Sequence, residues 1–413
     1  MHSQHSKPER RHPSGSDDLD IGTRRIDLSR WAVVSYCDDT GLGRQAADLR
    51  KIVGIGRLFA LPSERIEAKS LPSSRDVQLR YDLSEPELRT ILDDVQGVIF
   101  LERTSHHPGI ARVARKMGIT IVCVPNWEHF AGWHSLHNLC DFFICPTKMT
   151  WRILRWFGFA QALYLPCPLD PDLLPARTIS GKARHFVHNG GLMNKDDRKA
   201  TADVIEAFKC VDNPDIRLTV RLQRPFPLPS LDSRIEVRFG NLEHPGRLYE
   251  TGDVAIQPSK LEGIGLSVLE AVLCGMPVIT TDYPPMNEFV RDKELLCATH
   301  PGFRKVKTTH GIYHSHLKIP RKEDLVAKIK WCAGNDLSRI SENNRSLRDS
   351  TFSPDRVREK WLEALSAHIT GQLPELIQSS SPHPPAFSSV TGFAFRRLRR
   401  FLLWKKGITG QRQ

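Results

Sequence analysis

Two α/β domains in tandem, each built on a parallel sheet, are the architecture this sequence predicts. Three features point to it. Short apolar runs alternate with helix-period segments along the chain. A proline-rich stretch at 165–184 interrupts that alternation, and the pattern restarts beyond it. The length, 413 residues, also exceeds what one ordinary core organises.

In the first half, WAVVSYC (31–37) reads as a buried strand, and DDTGLGRQAADLRKIV after it as a glycine turn and a helix. VQGVIFLE (95–102), ITIVCVP (119–125) and CDFFICP (140–146) are further strands. HPGIARVARKMG and TKMTWRILRWFG are the helices between and after them. In the second half, HFVHNGG (185–191), IRLTVRL (216–222), IEVRFG (235–240), VAIQPS (254–259) and MPVITTD (276–282) read as strands. KATADVIEAFK, opening near Lys199, and GRLYETG are helical, as are KEDLVAKIKWCAG and PDRVREKWLEALSAHI near the end. The apolar runs are nearly continuous, as strands covered on both faces require.

The expected organisation follows. Residues 1–26 are polar and expected to be disordered; 27–170 and 171–345 form the two domains. Helices at 346–373 are placed to cross back to the first domain. Residues 374–413 form a Ser/Pro-rich linker and a basic tail. No apolar run reaches the ~18 residues of a membrane span, and the N-terminus lacks the apolar core of a secretory signal. A cytoplasmic protein is expected. Nine scattered cysteines without a CxxC pair fit reduced thiols better than a disulfide frame or a zinc site.

The net charge is +12, and segment 374–413 carries seven Lys/Arg against one acid, or +6. Within it, FAFRRLRRFLLWKKG mixes aromatic, leucine and basic residues. On a helix Phe395, Leu398, Phe401 and Leu402 gather on one side, while Phe393 and Trp404 fall opposite. An anionic membrane surface is therefore an expected partner for residues 393–406, with peripheral attachment at the inner face. A disordered basic tail is the competing reading. No motif supports nucleic-acid binding.

The densest chemistry is in SKLEGIGLSVLEAVLCGMPVITTDYPP (259–285). The strand before it delivers the chain to the carboxyl edge of a parallel sheet, where such sheets bind ligands. EGIG makes the turn, and the helix starts near Leu266 with free N–H groups that attract phosphate. Gly263 and Gly265 let backbone approach a ligand closely. Glu262 faces the same cleft, and Glu270, about one turn into the helix, suits a neutral hydroxyl better than a diphosphate that would repel it.

The 25-residue string PSKLEGIGLSVLEAVLCGMPVITTD resembles the donor-site signature of the retaining glycosyltransferases of GT-B fold, especially family 4, also called group 1. Weaker resemblance runs from about residue 32 to 366. It implies a GT-B architecture, two Rossmann-like domains facing across a cleft. It implies transfer of a sugar from a nucleotide-sugar donor to an acceptor hydroxyl, with retention of configuration. By the same resemblance Glu262 contacts the donor sugar, Glu270 binds the ribose, and the backbone of Gly263, Ile264, Gly265 and Leu266 meets the diphosphate and sugar. Glu288, in MNEFV, matches a family glutamate with a structural role.

The family's phosphate-binding basic pair falls on NGGLMNKDDRKATAD. Gly191, after Gly190, stands where an arginine is usual. Lys199 with Arg198 is the expected clamp, and Lys195 is a third candidate. TGLGRQA resembles the family's glycine loop, with Gly41 and Gly43 facing the diphosphate. The acceptor side is expected at Trp127, Glu128 and His129 in VPNWEHFAGWHSLHN, and His106–His107 open another loop at the sheet edge. No metal is expected: Asp38–Asp39 is not needed as a metal pair in this family, and no cysteine or acid partner completes a ligand set with His129, His134 and His137. The nucleotide sugar is a substrate, and no other cofactor is implied. The acceptor is expected to be a glycan, polysaccharide or lipid-linked sugar. Two other readings stand beside this one: a nucleotide-sugar-binding scaffold with a decayed site, favoured by Gly191, and a nucleotide-sugar epimerase on the same fold.

Overall fold

The computed structural model of the protein describes residues 26–62, 69–102, 108–130, 135–193, 197–242, 245–308 and 311–380. The first half alternates strands and helices: β1 (Trp31–Ser35), α1 (Gly41–Val53), β2 (Arg57–Ala60), β3 (Val77–Gln78), α2 (Glu85–Ile91), β4 (Gly97–Leu101), α3 (Pro108–Lys116), β5 (Thr120–Val124), β6 (Phe142–Cys145), α4 (Lys148–Trp156) and β7 (Ala162–Tyr164). These strands form one seven-stranded parallel sheet in the order β3-β2-β1-β4-β5-β6-β7. Alternation along β1 sends Trp31 and Val33 to one face and Ala32 and Val34 to the other. Both faces are covered, so all five β1 residues are buried.

The second half repeats the plan with β8 (His185–Gly191), α5 (Thr201–Lys209), β9 (Arg217–Leu222), β10 (Ile235–Phe239), β11 (Val254–Gln257), α6 (Leu266–Leu273), β12 (Val278–Thr281) and β13 (Leu296–Cys297). Its six parallel strands run β10-β9-β8-β11-β12-β13. An antiparallel hairpin follows, β14 (Thr299–Thr308) and β15 (Gly311–Pro320), then α7 (Lys322–Gly334), α8 (Ser338–Ser350), α9 (Pro354–Ile369) and α10 (Leu373–Ser380).

The α9 residues Val357, Trp361, Ala364 and Leu365, one helical stripe, pack into the same core as α1 residues Leu49, Ile52 and Val53. Trp361 Nε1 donates to the Pro166 carbonyl at 3.1 Å. The last long helix thus lies on the first sheet's α1 face. Each large apolar side chain buried there stabilises the fold by about 1.5–3 kcal/mol.

Several elements differ from the sequence reading. The segment read as the helix GRLYETG is a single 3-10 turn, Pro245–Leu248. The strands β3 and β7 escaped it because they are two and three residues long, too short for a period to show, and the four-residue β2 escaped it as well. The hairpin β14–β15 escaped it because HPGFRKVKTT is mostly polar. All nine cysteines are free thiols. No helix among the described residues is long and apolar enough to cross a membrane. The tail at 393–406 and the N-terminal segment lie outside the described residues.

Candidate active site

The loops leaving the carboxyl ends of both sheets meet. After β11 the chain runs through Ser259 and Glu262 to Gly265, whose φ of +86° lies in the left-handed region that glycine tolerates. Gly265 is the N-cap of α6 and supplies no side-chain cap, so the first N–H groups of α6 are left for another partner. The helix α5 differs: Asp197 carboxylate oxygens accept from Thr201 N at 2.8 Å and Ala202 N at 2.9 Å. An anion is therefore built into the start of α5, and α6 offers the open terminus.

Glu262 is buried beside that terminus at 5% exposure. Lys199 Nζ lies 2.5 Å from its Oε1 and 3.4 Å from Ser267 Oγ. Arg198 Nη2 lies 3.8 Å from its Oε2. The two loops are stitched by Lys260 N donating to the Arg198 carbonyl at 2.8 Å. From the first domain, Trp127 Nε1 donates to the Glu262 carbonyl at 2.7 Å. A Cβ on Gly263 would stand 2.9 Å from Asn126 Cβ, so the loop after β5 rests directly on EGIG.

Glu128, in the 3-10 turn Trp127–His129, takes Arg198 Nη1 at 3.1 Å. Burial opposes ionisation of Glu128, but His129 and Arg198 outweigh it and hold the carboxyl below the usual carboxylate range. Burial likewise opposes the Arg198 charge, and Glu262 and Glu128 restore it, raising its pKa. His129 Nε2 lies 3.5 Å from both Glu102 and Glu128. Two acids thus stand beside His129, a grouping that the sequence did not reveal. Glu102 follows β4, with φ of +63°, and reaches His129 across the neighbouring strand end. One ligand atom from each of Glu102, Glu128 and His129 falls within 4.8 Å of the others, a geometry able to hold a cation, and Arg198 already brings positive charge to it.

Glu270 is deeper. Tyr249 donates to its Oε2 at 2.5 Å. Burial pushes its pKa up, against that hydrogen bond and the fields of Arg44 and Lys199. Arg44, in the first turn of α1, is clamped through Nε by both Asp48 oxygens at 2.9 and 3.0 Å.

The remaining sequence candidates fall into place. A Cβ on Gly41 would touch Leu266 Cδ1 at 3.7 Å, so the glycine loop of α1 abuts α6. Gly43 instead packs on Asp38, whose carbonyl oxygen leaves no room for an added Cβ, and Gly190 packs on Leu222 and Thr201. Gly191, at φ +59°, faces open space. The Ile264 side chain is buried in the second core, leaving only its backbone for a ligand. Glu288 accepts from Lys148 N at 2.6 Å and Met149 N at 2.8 Å, capping α4 of the other sheet. His137 stacks on Phe130 at 4.4 Å inside an aromatic cluster. Lys195, His106, His107 and His134 lie outside the described residues. Glu102, Arg44 and Tyr249 were missed. Only Glu102 carried a signal, an acid at the carboxyl end of an expected strand.

Residues 236–302, from β10 into β14, match the family model described as Glycosyl transferases group 1. The chain resembles the group 1 glycosyltransferases. The matched stretch holds Glu262, the open α6 terminus and Glu270. No curated protein sequence matches the chain. Among solved structures it is similar to Anabaena HepE in complex with UDP and glucose, at 12% identity over 82% of this chain and 99% of that one, with a TM-score of 0.58. It is similar to sucrose-phosphate synthase from Thermosynechococcus elongatus, at 13% identity over 83% and 99%, TM-score 0.56. A glycosyltransferase from Rickettsia africae matches at 13% identity over 82% and 98%, TM-score 0.53. The two-sheet architecture is the GT-B fold that the group 1 resemblance implied.

Proposed function

We propose that the protein transfers a sugar from a nucleotide-sugar donor to an acceptor hydroxyl, with retention of configuration. The observation that carries this is the Glu262–Lys199 pair at 2.5 Å, set beside the uncapped α6 terminus, with Glu270 one turn inside. The donor diphosphate meets the α6 N–H groups, Lys199 and Arg198, which stabilise its charge as it leaves. Glu262 supports the sugar, and Glu270 accepts from the ribose hydroxyls. The bond from the anomeric carbon to the diphosphate breaks through an oxocarbenium-like state, its electron pair leaving with the diphosphate. The acceptor oxygen, entering past Trp127, Glu128 and His129, forms the new bond on the same face, and its proton passes to the departing diphosphate. The ligands of the HepE structure, UDP and glucose, make a UDP-sugar the first donor to test. We assign the acceptor to a glycan, polysaccharide or lipid-linked sugar, reached from the cytoplasmic face of a membrane.

The test is a thermal-shift panel of UDP, GDP, ADP, TDP and their sugars, followed by a transfer assay. One nucleotide family at about 100 times its dissociation constant should add about 2.7 kcal/mol of stability. Glu262→Gln should cripple transfer and leave nucleotide binding largely intact; full turnover by that variant removes Glu262 from the mechanism. Gly191 favours a second reading, a nucleotide-sugar-binding scaffold, because no side chain stands at that open position. Binding without transfer by the unaltered protein would select it.

A further inference from the structure

The second sheet reverses its strand order between β8 and β11. Open α/β sheets bind ligands in the crevice at that switch point. The β8–β11 ladder pairs Phe186 with Val254 and Val187 with Ala255, and no later pair among the described residues. Each strand continues on its other side, β8 with β9 as far as Gly191 and β11 with β12 as far as Gln257. The two strands therefore part at their carboxyl ends. His188 props the gap: its Nδ1 lies 2.6 Å from the Ile256 carbonyl oxygen and its Nε2 2.9 Å from Thr201 Oγ1. Burial brings the His188 pKa down to about 4, so the ring is neutral.

Two residues beyond the last pair on each strand are Asn189 and Gln257, at 6% and 0% exposure. They continue the face of Val187 and Ala255. All four polar atoms of these carboxamides lack a hydrogen-bond partner among the described residues, and so does the buried Ser259 Oγ. Buried polar groups are nearly always satisfied, because leaving one unmade costs its full desolvation. Orphans at the ends of two neighbouring strands, at a switch point, call for a partner from beyond those strands. The set is uncharged and can both donate and accept. That chemistry suits neutral hydroxyl or amide groups. The chain passes from this floor directly to Gly190–Gly191 on one side and Lys260–Glu262 on the other.

We propose that Asn189, Gln257 and Ser259 form an uncharged specificity subsite, in the gap between β8 and β11, that binds neutral hydroxyl or acetamido groups of the donor sugar. The subsite rests on the donor reading given above. It would make the donor a neutral hexose or N-acetylhexosamine nucleotide.

The experiment compares the full chain with its Gln257→Leu and Ser259→Ala variants. For each, the melting temperature without ligand is read, then the affinities for UDP, GDP, ADP and TDP and for their neutral sugar conjugates. Gln257→Leu should keep or raise the melting temperature, since no internal hydrogen bond is lost. Affinity for the bare diphosphate should stay within twofold, and affinity for the sugar conjugate should fall at least tenfold. Ser259→Ala should give the same pattern at several-fold, and it removes only one oxygen, so it carries the test if the leucine variant does not fold. A sugar increment unchanged in the variants overturns the subsite and leaves the donor reading standing. A lowered melting temperature with unchanged sugar affinity makes the cluster structural and also overturns it. An unaltered protein that binds neither diphosphates nor conjugates overturns the donor reading and the subsite together.

Discussion

Glu262 and Lys199 are 63 residues apart in the chain and 2.5 Å apart in space. A carboxylate at 5% exposure needs such a partner, since an unpaired buried charge is strongly destabilising. The glutamate was legible from its place in a glycine turn at a strand end; its hold on Lys199 was not, because no local pattern reports a contact between two loops. Asp48 shows the same limit. It reads as an ordinary helix residue in QAADLRKIV, yet its carboxyl is buried, and burial, opposed by Arg44, pushes its pKa up from 3.8 to about 6. A raised carboxyl stabilises the fold only while protonated. Its contribution is complete below pH of about 4 and is lost as pH rises through about 6. Between pH 4 and 7 the unaltered protein should therefore lose about 2 kcal/mol relative to Asp48→Asn. Urea denaturation of both across that range measures this, and a constant difference between them would place the Asp48 pKa near its ordinary value.

At the level of elements, the strand–turn–helix units were legible wherever a strand was a continuous apolar run, as at β1, β4, β5 and β11. What no run could show is that the helix α4 of one sheet is capped by a side chain from beyond β12 of the other. Glu288 supplies two acceptors to the first two α4 N–H groups, and burial raises its pKa while those donors lower it. Glu288→Ala should cost about 1 kcal/mol, the usual cost of a lost cap. The urea midpoint should fall with its slope unchanged. An unmoved midpoint would mean that water caps α4 equally well.

For the whole molecule, closure of the cleft comes from loops after β1, β5, β8 and β11 meeting, while α9 returns to α1. The basic tail lies outside the described residues, and we propose that it attaches the protein to an anionic membrane surface. Deleting residues 390–413 should abolish pelleting with vesicles containing about 30% anionic lipid and leave transfer to a soluble acceptor intact. Unchanged pelleting would end that assignment.

By itself the sequence determined the two-domain α/β plan, the group 1 resemblance, the position of the EGIG turn and the concentration of positive charge at one end. These rest on local composition and period, which a chain carries before it folds. The tertiary structure decided which groups face each other: Lys199 on Glu262, Tyr249 on Glu270, Glu102 beside His129, and the unpartnered Asn189 and Gln257 where two strands part. Charge pairing, burial and an unmet hydrogen bond depend on what surrounds a residue in space, and in a fold of parallel strands those neighbours come from distant segments of the chain.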